Sequence, residues 1–217
     1  MQLNSADIGA MDTRPRAALI NSLSGFKSAN LVGTIGASGQ SNLAVMSSCV
    51  HLGSHPPLLA LIVRPGLRDR HTLSNILTKR CYTINHVTPQ LIEQAHQTAA
   101  RYPASESEFD ATGLTHEWRK GFGAPFVAEA QIKIGMELRE YQTLQINDTH
   151  LVIGEVISID LPDDAVRADN SIDLCAAQSV ALSGLDSYHT ASLEKRMAYA
   201  KPDLPPRTIE SSEGETS

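Results

Sequence analysis

Between Ser41 and Asn75 the chain sets small and hydroxylated residues on one segment and a basic cluster at the end of the next. In "SNLAVMSS" an extended strand puts Asn42, Ala44, Met46 and Ser48 on one face and Leu43, Val45 and Ser47 on the other. The first face is small and mixed rather than greasy. A flat ring can lie close to such a backbone, and Asn42, Ser47 and Ser48 can meet its heteroatoms. Taken alone, the same piece also reads as a strand edge with solvated polar residues.

The basic cluster adds a second chemistry. "RPGLRDRHTLSN" puts Arg68, Arg70, His71 and Thr72 at or just before a helix start. Free backbone N–H groups and the positive end of the helix dipole favour an anion there. Arg70 can fork two donors onto a phosphate, and Thr72 can add a hydroxyl. The competing reading is an ordinary capped helix with its arginines in water. Basic residues in a first turn oppose the dipole, so that reading leaves a cost unexplained. Together the two features describe a ligand with a flat polar body and an anionic tail.

Other chemistries find less support. The glycines of "GTIGASG" (33–39) fall at every third residue and lead into a strand, so they form a turn and not a pyrophosphate loop. G-x-x-x-x-G-K-[ST] and G-x-S-x-G do not occur. His51 and His55 are four apart, but Gly53, Pro56 and Pro57 forbid the helix that would align them, so they read as solvated loop histidines. "THEW" (115–118) has no second His at helical spacing. Cys49 has no evident base and reads as a small buried residue at a strand end. Cys49, Cys81 and Cys175 are odd in number and never spaced C-x-x-C, which fits a reduced, cytoplasmic protein. A net charge of -6 argues against a nucleic-acid partner. No apolar run reaches the roughly 18 residues of a membrane span, and the first residues lack the pattern of a secretory signal.

The elements that must position these residues are mostly strands. The chain has 217 residues, within the range of a single β-barrel. A helix start capped at Ser5, with Asp7 in its first turn, is followed by helix over Arg16–Leu23, stopped by Gly25. Strands are expected over 28–36, 42–50, 57–64 and 80–87. A short helix fills 72–80, and a longer one runs over 88–102 with Thr88 as cap and Pro89 in its first turn. "EAQIKIGMELREYQTL" and "THLVIGEVISIDL" alternate as half-buried antiparallel strands do, around a turn at "IND". Strands outnumber helices and come in adjacent pairs, so the expected fold is mainly β, an antiparallel β-barrel with added α-helices. Residues 1–203 read as one domain, and the polar, Pro-rich 204–217 as a disordered tail.

At this point the chain resembles the flavin reductase-like and flavoredoxin proteins, whose fold is the FMN-binding split barrel. The matching pieces include "NLVGTIG", "SNLAVMSSCVHLGSHPPLLALIVRP", "RHTLSNI", "YTINHV", "AHQTAARY", "SEFDATGLT", "APFVAEA", "LVIGEVISIDLP", "SGLDSYH" and "YAKP". They span most of residues 13–202. The resemblance implies a homodimer with FMN near the subunit interface and redox chemistry with NADH, NADPH or an electron-acceptor protein. It matches the ring-binding strand to Asn42–Ser48 and the phosphate segment to Arg70, His71 and Thr72, with Asn75 a weaker match. Tyr188 and His189 are candidates to reach the ring from the partner. Ser47 and Ser48 hydroxyls near the ring's N1 and O2 edge would favour the reduced flavin. An FMN-dependent NAD(P)H oxidoreductase is the function implied; an FMN-binding electron carrier without nicotinamide turnover is the alternative.

Overall fold

A computed structural model of the chain describes residues 1–66 and 71–209. Arg68 and Arg70 therefore lie outside the described residues. The order of strands explains the shape. A seven-stranded antiparallel sheet is built from β2 (Asn30–Ile35), β3 (Ser41–Met46), β4 (Cys49–Ser54), β5 (Pro57–Val63), β6 (Cys81–His86), β9 (Lys133–Thr143) and β10 (His150–Asp160), in the order β3-β2-β6-β9-β10-β5-β4. β3 and β4 sit at opposite ends of this sheet, yet only Ser47 and Ser48 separate them in the chain. A link that short forces the sheet to curl until its ends meet. The two end strands do not pair with each other, so the barrel closes with a split between them. Ser48 fastens the corner: its hydroxyl donates to the Ile62 carbonyl at 2.6 Å, and its own carbonyl accepts the Ile62 N–H at 3.1 Å.

This corrects the single strand expected over 42–50, which is two strands on opposite margins of the barrel. His51 also belongs to a strand, β4, rather than a loop, although it and His55 are both exposed. Among the described residues no group of His, Cys, Asp and Glu is placed to hold a metal ion.

β2 is buried on both faces, so its side chains divide between two cores. Val32 joins Leu61, Tyr82, Ile84, Met136 and Val152 inside the barrel. Leu31, on the other face, joins Leu43, Phe109, Val127, Val180 and Leu182 outside it. The barrel core also takes Leu73 and Ile76 from α3 (His71–Lys79), an i, i+3 pair on one face of that helix. The outer core is covered by α4 (Ile92–Gln97), α5 (Glu108–Thr112) and a small sheet of β1 (Lys27–Ser28), β11 (Val180–Ser183) and β12 (Ser187–Thr190). A two-stranded ribbon, β7 (His116–Glu117) with β8 (Phe126–Val127), lies beside them.

Other element boundaries also differ from the sequence reading. The first helix, α1 (Ser5–Ala10), is capped by Asn4, not Ser5: the Asn4 side chain accepts the Ala6 and Asp7 N–H groups, and Asp7 answers on the Asn4 N–H. A break at Met11–Asp12 separates it from α2 (Thr13–Leu23). The helix expected over 88–102 is a 3-10 turn at Pro89–Leu91 followed by the short α4, and the Thr88 side chain caps nothing. In the C-terminal segment, Met197 bridges Thr208 and Ile209 is buried. No described helix is long and apolar enough to cross a membrane.

Candidate functional site

β3 and the start of α3 lie side by side, which brings together residues thirty positions apart. Asn42 Nδ2 donates to Thr72 Oγ1 at 3.0 Å, and Asn75 Nδ2 donates to Thr34 Oγ1, on β2, at 3.0 Å. All four are buried polar residues in a mostly apolar fold. Beside them opens a cavity of about 300 Å³, lined by Asn42, His71 and Asn75 together with Ser38, Ser41 and Glu106. The "ASGQ" turn forms one wall of it. Gly36 accepts the Gly39 N–H and donates to the Gln40 carbonyl, and Gly39 takes a φ of +87°, where a side chain would be strained.

Of the residues singled out in the sequence, Asn42, His71 and Asn75 meet at this cavity, with Thr72 held against Asn42. Ala44, Met46, Ser47 and Ser48 do not line it. Met46 packs on the barrel core, Ser48 fastens the corner, and Ala44 and Ser47 are half-buried further along the same segment. Tyr188 and His189 lie elsewhere, on β12. Tyr188 lines a separate depression with Ile92 and His96, its hydroxyl 3.3 Å from His96 Nδ1. His189 Nε2 is 2.8 Å from Ser183 Oγ.

The sequence reading missed the residues that hold β3 in place. β3 is an edge strand, so every second N–H faces away from the sheet. The Leu43 N–H donates to Glu108 Oε2 at 2.9 Å, and the Val45 N–H donates to Thr98 Oγ1 at 2.8 Å. Side chains from the α4–α5 region thus replace the neighbouring strand that β3 lacks. Burial pushes the Glu108 carboxyl above its ordinary range; the Leu43 hydrogen bond and the nearby His71 pull it back. Replacing Glu108 with alanine leaves the Leu43 N–H without an acceptor and is expected to lose about 2 kcal/mol of stability. Glu108→Gln keeps an acceptor oxygen and should lose much less. Urea midpoints of the two variants check this, and equal losses would mean that the charge rather than the acceptor matters.

Cys49 offers no nucleophile. Burial pushes its thiol up to about 11, so it stays protonated near neutrality.

Comparison with known proteins agrees with this architecture. Residues 24–177 match the flavin reductase like domain, and the chain belongs to that family. It is similar to a solved split barrel domain protein from Shewanella frigidimarina NCIMB 400, classed with the flavin reductases: 51% identity, TM-score 0.89, covering 92% of this chain and 100% of that one. The flavoredoxin of Desulfovibrio vulgaris (Miyazaki F) has the same fold at 20% identity and a TM-score of 0.70, covering 94% of this chain and 98% of that one. An FMN-binding protein from Thermus thermophilus does so at 17% identity and 0.64, covering 81% and 90%. The split barrel read from the sequence is therefore the fold found.

Proposed function

We propose that the protein binds FMN noncovalently and catalyses hydride transfer from NADH or NADPH to it, with electrons passed on to free flavin, oxygen or an acceptor protein. The observation that supports this most is the meeting of Asn42, His71 and Asn75 at one cavity beside the start of α3, in a chain of the flavin reductase like family.

The residues fit a flavin monophosphate. At the cavity the donor set is neutral or cationic on the α3 side: the His71 ring, the Asn75 amide and the first N–H groups of a nine-residue helix. Asn42 and Thr72 are already paired, so either can turn a donor to a ligand while the other keeps its partner. Asn42 to Ser48 then runs away from the phosphate end and would flank the ring. The flavin, when bound, supplies the hydride and electron chemistry. The protein's part is to orient it: Glu108 and Thr98 hold β3 straight, and Asn75 ties α3 to β2 through Thr34. A homodimer and a cytoplasmic location belong to the same proposal, and light scattering on the flavin-loaded protein tests the first.

The reaction is tested by anaerobic stopped-flow mixing. Protein saturated with FMN and then desalted should keep its visible flavin absorption. That absorption should bleach faster than free FMN with at least one of NADH and NADPH. Retained flavin that bleaches no faster than free FMN with either donor leaves an FMN-binding electron carrier. Failure to retain flavin or to bind FMN at micromolar protein overturns the proposal entirely.

A further inference from the structure

The cavity has a second side, built from residues that the family reading does not use. Ser41 opens β3 and lines the cavity while being only 7% exposed. Its Oγ lies 2.7 Å from Ser107 Oγ and 2.7 Å from His116 Nε2. Ser107 sits at the N-cap position of α5, where a serine oxygen ordinarily accepts an N–H of its own helix; here it makes no such bond. Its hydroxyl faces Ser41 instead. His116 is clamped as well. Its ring stacks on Phe109 at 4.2 Å and on Trp118 at 6.1 Å, and its backbone pairs with Val127. Two fixed groups therefore converge on one hydroxyl at a cavity wall.

A hydroxyl has one proton and two lone pairs. If Ser107 O–H and His116 Nε2–H both donate to Ser41 Oγ, both lone pairs are taken and the Ser41 proton is left over. The open direction for that proton is the cavity. We propose that Ser107 and His116 are positioning residues that turn Ser41 into a hydrogen-bond donor to an anionic oxygen of the ligand. This rests on reading the cavity as the seat of a phosphate ester. The arrangement suits its surroundings. Glu106 on the same cavity carries negative charge, so an anion on this side must be held by directed donors rather than by net positive charge.

The test compares FMN with riboflavin, which lacks the phosphate, by calorimetry on the full chain. Ser41→Ala and His116→Phe should each weaken FMN about three- to tenfold and riboflavin by less than about twofold. Phenylalanine keeps the aromatic stack and removes the nitrogen. The two losses should not add in the double variant, because both act through one hydroxyl. His116→Gln, which restores a donor, should recover most of the FMN affinity. Should His116→Phe fail to fold, Ser107→Ala removes the other donor to Ser41 and gives the same readout. A wild-type chain that binds neither flavin overturns the proposed function and this inference with it. Wild-type FMN binding with equal losses for the two flavins, or with additive losses, overturns this inference alone.

Discussion

Gly33→Ala is expected to destabilise the protein by about 3 kcal/mol, the upper part of the range for overpacking a buried site. Gly33 lies in β2, paired with Leu43 of β3 on one side and Thr83 of β6 on the other. A Cβ placed there runs into the Pro125 carbonyl and the Thr83 hydroxyl. Neither can move aside easily, because Thr83 Oγ1 donates to that carbonyl at 2.7 Å. Asn85 extends the network: its amide donates to Thr83 Oγ1 and to the Leu31 carbonyl, and its oxygen accepts the Val127 N–H at 3.0 Å. The extra methyl must therefore push the 124–127 segment off the sheet or distort β2 next to the cavity. Chemical denaturation of the variant reads the loss directly. Stability within about 0.5 kcal/mol of the native chain would mean that the segment yields without strain.

The antiparallel barrel class of the fold was legible in the sequence because its cues are local, while the split barrel itself entered through the family resemblance. Alternation over 133–160 and the turn between mark β9 and β10 as a hairpin, and the structure pairs them along nearly their whole length. The split of 42–50 was not legible. Residues on both sides of Ser47 favour strands, and neither glycine nor proline marks the corner. What bends the chain there is tertiary: the sheet's two ends must be joined by two residues. The length of α4 was hidden in the same way. Thr98 directs its hydroxyl to the Ala95 carbonyl and accepts the Val45 N–H, so the residue that ends the helix is fixed by a strand 53 positions earlier.

The candidate site divides along the same line. Asn42, His71 and Thr72 stood out because a polar strand and a helix start carry their chemistry in short windows, and Asn75 came only with the family resemblance. Ser107, Glu108 and His116 did not. "SEFDATGLT" enters only as a piece of the family resemblance, and "THEW" reads only as a metal motif, set aside for want of a second histidine. Their meaning comes from partners 65 to 75 positions away on an edge strand that has no second neighbour. A general rule about edges would have asked what covers β3, but not which residues do so.

The stability of the protein should also fall steeply in mild acid, and His86 is the residue to watch. It ends β6, pairs with Asn30, and its Nδ1 lies 2.9 Å from Ser179 Oγ just before β11. It thus sits where the small sheet docks on the barrel: next to it, the Val180 N–H donates to the Val87 carbonyl. Burial lowers its pKa from 6.5 to about 4. Between those values the unfolded chain takes up a proton that the folded chain refuses. Stability from this residue is therefore complete above pH 6.5 and is lost as pH falls toward 4, by about 3 kcal/mol in total. His86→Asn keeps a polar atom facing Ser179 and does not titrate. Urea midpoints of the two proteins should differ by a nearly constant amount above neutrality. On acidification from pH 7 to pH 4 the wild type should lose about 3 kcal/mol more than the variant. Because the carboxylates titrate in both chains, their contribution cancels in this difference. Parallel pH profiles for the two proteins would show that His86 accepts its proton without leaving the fold, and the docking of the small sheet would then have to tolerate a charge at its seam.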